Sequence, residues 1–123
     1  MNKIKNLAFA LALGFLAISC GDDDNTAPVV NIATPTANSS YTVSDTISLT
    51  GTVAEDTKLE TVVISSDLGI DQNVTPLDSD TAHAFNFNIT LDSLTTAGSY
   101  TMTVTATDEA GNIGSDEVAI TIQ

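Results

Sequence analysis

The sequence predicts an all-β protein, an antiparallel sandwich of about seven strands, and three observations carry that reading. Apolar and polar residues alternate with period two, most plainly where Tyr100, Met102, Val104 and Ala106 are interleaved with four threonines. Turn-forming residues interrupt these stretches roughly every 8 to 12 positions, and no helical period intervenes. Threonine and serine are abundant and tryptophan is absent, a composition suited to pleated sheets.

The first 24 residues read as an address and an anchor. Lys3 and Lys5 precede an apolar run over residues 7–18, broken only by Gly14 and ending at Ser19-Cys20-Gly21. A charged start, a short apolar run and a small residue before the cut make a secretory signal over residues 1–19. The run is too short for a membrane span, which needs about 20 residues. Cys20 is the only cysteine, so no disulfide can form within the chain. With Leu16-Ala17-Ile18-Ser19 before it, Cys20 resembles the lipobox of bacterial lipoproteins. The commonest lipobox has Leu three residues before the Cys, where this chain has Ala17. That resemblance implies a lipid on Cys20 as the mature amino terminus and a membrane partner reached through it. Gly21-Asp22-Asp23-Asp24 resembles the acidic tag that sends some Gram-negative lipoproteins to the exterior of the outer membrane. The expected location is therefore the outer membrane, facing outward.

Residues 20–27 form an acidic linker, and residues 28–123 form the sandwich. Pro28 suits the start of an edge strand, and residues 29–33 supply the first one. Residues 35–40 are turn-rich, and residues 41–43 continue the chain onto the other sheet. Ile47, Leu49, Gly51 and Val53 alternate with Ser and Thr as a second long strand. Residues 59–65 are a third, and the run Val62-Val63-Ile64 implies burial on both faces. Residues 66–82 hold at most a weak strand, around 70–74. Phe85, Phe87, Ile89 and Leu91 form the next strand, with His83 at its start as a surface histidine. Residues 100–106 and 118–122 close the fold as a hairpin around Asp-Glu-Ala-Gly-Asn. About seven short strands of this spacing fit an immunoglobulin-like sandwich. Leu94, Gly98 and Tyr100 resemble that fold's tyrosine corner.

Charge excludes whole classes of function. Once the signal is removed, Lys58 is the only basic residue against 16 carboxylates, a net charge of −15. Such a surface repels phosphate backbones, so nucleic acid is excluded as a partner. One histidine, no phosphate-binding loop and no zinc-ligand cluster leave little for catalysis. The paired acids Asp78/Asp80 and Glu55/Asp56 lack the aromatic cleft that glycoside hydrolysis uses. A binding or structural module is expected, not an enzyme. The rival reading is an accessory glycan-binding lipoprotein of an outer-membrane uptake system, for which the missing tryptophan is unfavourable.

The acids themselves suggest a cation. In an immunoglobulin-like topology the incoming linker, the loop at 54–57 and the turn at 108–112 meet at one pole. Hard cations take six to eight oxygens of the kind these segments carry. Here the chain resembles cadherin-like and bacterial immunoglobulin-like surface domains, through Asp24-Asn25-Thr26-Ala27-Pro28 and Ala-Thr-Asp-Glu-Ala-Gly-Asn over 106–112. In the calcium-binding members matching positions are ligands, which implicates Asp24, Glu55, Asp56, Asp108 and Asn112. The Asp-x-Asp pair of those members is missing from the 54–57 loop. Asp-Glu-Ala-Gly is also an ordinary type I turn, with Asp first and Gly fourth. Asp92-Ser93-Leu94, Asp45-Thr46-Ile47 and Asp80-Thr81-Ala82 resemble the tripeptide sites of a bacterial O-glycosylation system. The partner itself, protein or glycan, is not named by any motif.

Overall fold

The strands fall where the alternation places them, because each pairs its apolar face with the facing sheet. The computed structural model describes residues 24–75, 77 and 79–123. The signal, Cys20 and Asp78 lie outside the described residues. Eight strands follow in order: β1 (Val29–Thr34), β2 (Ser39–Tyr41), β3 (Thr46–Ala54), β4 (Leu59–Ser66), β5 (Ile70–Val74), β6 (Ala82–Thr90), β7 (Gly98–Asp108) and β8 (Ile113–Ile122). Among the described residues no helix is long and apolar enough to cross a membrane.

One sheet has the order β1-β3-β6 and the other β2-β8-β7-β4-β5. The three-residue β2 crosses to the second sheet and pairs parallel with β8. It begins two residues before the continuation expected at 41–43, since Asn38 turns the chain with a positive φ of 66°. The central pairing, β7 with β8, holds ten residue pairs from Gly98↔Ile122 to Thr107↔Ile113 without a break. This is the hairpin legible in the period-two pattern.

Among the described residues, sixteen buried apolar side chains, all but Leu91 on the strands of the two sheets, form one core, with Ile47, Leu49, Val62, Met102, Val104 and Ala106 fully covered. Burying such side chains stabilises by roughly 1.5–3 kcal/mol each, the term that offsets chain entropy. Val63 corrects the expectation of burial on both faces. It is half-buried on the outer face, opposite Thr105 and Asn73, while Val62 and Ile64 enter the core.

Two further expectations change. His83 is 8% exposed and is therefore a buried residue, not a surface one. It shares the inward parity of Phe85 and Ile89 on β6 and lies opposite Val53. At the tyrosine corner the Tyr100 hydroxyl donates to the Thr96 carbonyl at 2.7 Å. Leu94 is 85% exposed there and adds little to the packing. Tyr100→Phe is expected to cost about 0.5–1.5 kcal/mol, the net value of one such bond, in a denaturant titration.

Candidate metal centre

The pole at the start of β1 is built by backbone pairing before any acid is considered. Val29 lies opposite Ala54, so the entering chain runs beside the end of β3. Leu59 lies opposite Asp108, so the β3–β4 loop sits beside the β7–β8 turn. In that turn the Gly111 amide donates to the Asp108 carbonyl at 3.1 Å, closing the type I turn read from the sequence. Gly111 then takes a φ of 96°, and the Asp108 amide reaches the Asn112 carbonyl at 3.0 Å. A type I turn followed by a left-handed glycine is the usual three-residue hairpin connection. The left-handed position belongs to Gly111, not to Asn112.

This frame brings Asp24, Glu55 and Asp108 together, each with a carboxylate oxygen within 4.8 Å of the others. Asp24 is half-buried, Glu55 is 9% exposed and Asp108 is fully covered. Asp56 is exposed and stands outside the three-carboxylate group. Asn112 joins the pole as a donor: its Nδ2 reaches Asp108 Oδ2 at 2.8 Å and the Asp24 carbonyl at 2.9 Å. Its amide donates to Asp108 Oδ1 at 2.8 Å. Asn112 therefore ties the linker to the hairpin and orients the Asp108 carboxylate.

Thr57 is the member that sequence reasoning did not select. Its hydroxyl lies 2.7 Å from Asp24 Oδ2 and 2.7 Å from Glu55 Oε2. A hydroxyl has one proton and can satisfy only one of these contacts as a donor. A proton shared between two carboxylate oxygens satisfies neither fully, and a cation among the oxygens would relieve the shortage. Among the described residues Glu55 Oε1 has no hydrogen-bond partner although it is buried, which adds to the deficit. A buried carboxylate oxygen left unpaired is costly, and such groups are normally paired or bound to metal.

Lys58, the only Lys or Arg among the described residues, does not fill this gap. Lys58 stands at the same pole, but its Nζ pairs with Glu109 Oε2 at 3.2 Å, and both side chains are more than half exposed. The hydrogen bond and charge of Glu109, with a smaller share from Asp80, raise the Lys58 pKa. At Asp108, burial alone drives the carboxyl upward. Hydrogen bonds with the Asn112 side chain and amide, the Asp24 carboxyl and the Ala110 amide outweigh it and hold the group below its ordinary 3.8. A carboxyl lowered in the folded state contributes stability that is present above 3.8 and lost as the pH falls through the lowered value. Acid melts of Asp108→Asn are expected to lose less stability over that window than the parent. Parallel acid limbs would remove this carboxylate from the account.

Hard oxygen donors in a half-buried recess, with no basic group among them, can hold a divalent cation such as calcium. The residues present fit that ion in donor type, and Asp24, Glu55 and Asp108 are the ones that would hold it, with Thr57 beside them.

The family assignment follows from the chain itself. A family described as "Bacterial Ig domain" matches residues 28–104. The chain belongs to the bacterial Ig domain family. Glu55 and Asp56 fall within the matched span, and Asp24, Asp108 and Asn112 fall outside it. Among solved structures, this bacterial Ig domain is similar to the fibronectin(III)-like modules of Clostridium thermocellum CbhA. The identity is 17%, the TM-score is 0.57, and 76% of this chain and 93% of that one are covered. It is also similar to the PKD1 domain of Vibrio anguillarum Epp, at 21% identity and a TM-score of 0.49, over 81% of this chain and 98% of that one. No curated protein matches the chain. The first likeness shows the fold, a two-sheet immunoglobulin-like sandwich.

Proposed function

We propose that this bacterial Ig domain is a lipid-anchored module of the outer membrane, facing outward, whose acidic pole takes up calcium and stiffens the junction to its anchor. It serves as a binding, adhesion or structural domain and not as an enzyme. One observation carries this reading: Asp24, only four residues after Cys20, meets Glu55 and Asp108 at a single pole. An ion there would neutralise carboxylates that otherwise repel, and would fix the linker to the β3–β4 loop and the β7–β8 turn. The domain would then be held at a defined angle from the membrane, as a displayed module requires. The three-carboxylate group includes no histidine or cysteine, so it offers no nucleophile or general base beyond the acids themselves.

Growth with a labelled fatty acid tests the anchor. Label is expected in the full chain and not in Cys20→Ser, and protease added to intact cells is expected to remove the domain. An unlabelled chain, or a domain that resists protease until the cells are broken, would overturn the anchoring and the orientation respectively.

A further inference from the structure

Among the described residues, three of the four sheet edges are blunted by a break, shortness or charge, and one is not. β1 is broken by an irregularity between Ile32 and Thr34 and flanked by Pro28 and Pro35. β2 has three residues, and β5 has five with Asp71 among them. Short, bulged or charged edges are the ordinary means of preventing unwanted strand pairing. β6 has none of these features, although His83 and Ala84 near its start already have partners. Its nine residues, Ala-His-Ala-Phe-Asn-Phe-Asn-Ile-Thr, hold no Pro, no Gly and no charge, and pair with β3 over nine consecutive positions without a bulge.

Charge singles out the same sheet. The chain carries 16 acidic residues, yet β1, β3 and β6 contain no Asp, Glu, Lys or Arg. The outer face around β6 is a lattice of small neutral groups, with Ser48 donating to Asn88 at 2.7 Å and Thr46 bonded to Thr90 at 3.3 Å. Beside the edge, a cleft of about 480 Å³ opens between β5 and β6, and half-buried Phe87 and Val74 line it.

We infer that β6 is an interface, and that its occupant is the β6 strand of a second copy, added antiparallel about a two-fold axis. The pairing uses residues 86–90 and joins two three-stranded sheets into one of six strands. A second copy suits the edge because this is the sheet where two strongly acidic chains meet without opposing carboxylates, and like charges set opposite each other destabilise a strand pair. Antiparallel pairing also directs the two acidic poles away from each other. It brings the Phe87 rings of the two copies to the same side, over their clefts. On the anchored reading above, that polarity joins chains held on facing surfaces; the pairing itself does not depend on the anchor.

The test uses the full chain with Cys20→Ser in detergent, so that any added cysteine is the only one. Asn88→Cys, which the two-fold axis of a pairing over 86–90 sets opposite its own copy, is expected to give a disulfide-linked dimer on mild oxidation. Thr50→Cys, on the same face but one strand inward, is expected to give none. Sedimentation equilibrium is expected to show a dimer, lost in Asn86→Lys while the circular dichroism and melting of that variant are retained. A monomer at every concentration, cross-linking of Thr50→Cys as readily as Asn88→Cys, open-ended ladders, or capture only of a different protein would each overturn the inference.

Discussion

Calcium at a hundredfold excess over its dissociation constant is expected to stabilise the domain by about 2.7 kcal/mol, and Asp108→Ala to erase that gain. For a domain of this size 1 kcal/mol moves the midpoint by roughly 4–8 °C, so the shift between calcium and chelator is about 10–20 °C. The size follows from mass action alone, since an ion bound to the folded chain adds nothing to the unfolded one. Asp108 is the residue to remove because it is fully covered and its two oxygens accept from both donors of Asn112. Its loss also leaves the Asn112 amide without its acceptor, while Nδ2 keeps only the Asp24 carbonyl, so the variant starts lower even in chelator, by about 1–3 kcal/mol. The decisive comparison is the calcium increment, which vanishes in the variant. Glu55→Gln keeps the volume and removes the charge, and it is expected to shrink the increment while disturbing the packing little.

Gly114→Ala is expected to produce the second large effect, although Gly114 touches none of the carboxylates. A β-carbon at this position would overlap the Pro28 carbonyl oxygen, which is backbone and cannot swing aside. Overpacking of this kind costs typically 1–3 kcal/mol. The consequence reaches the pole, because Pro28 belongs to the chain that delivers Asp24, four residues earlier, to Glu55 and Asp108. Lifting Pro28 from β8 moves Asp24 out of the group. The variant is expected to melt lower and to lose most of its calcium increment, both read from paired melts. A variant that melts lower yet keeps the full increment would show that the entry of the chain does not position Asp24.

Much of the fold was legible because it depends on periodicity, which a single sequence displays. The alternation of Tyr100, Met102, Val104 and Ala106 locates β7, and the weak stretch at 70–74 is β5 with the same limits. Burial at the sheet margins was less legible. Val63 and His83 have the hydropathy of one face and the position of the other, and only the register of β4 and β6 decides between them. The pole was legible as three acidic segments, since topology brings their ends together. Which oxygens meet was not, because side-chain reach depends on local hydrogen bonds. Asp56 stands beside Glu55 in sequence, yet only Glu55 is buried beneath the loop, its amide held by the Thr81 carbonyl at 2.9 Å. Thr57 carries no charge and gave no signal beyond its place in the same loop.

Equilibrium dialysis of the chain against radioactive calcium tests the acidic pole most directly. One ion retained per chain, and none by Asp108→Ala, is the result that three converging carboxylates require. A parent chain that retains no more calcium than the variant would contradict a metal centre at this pole.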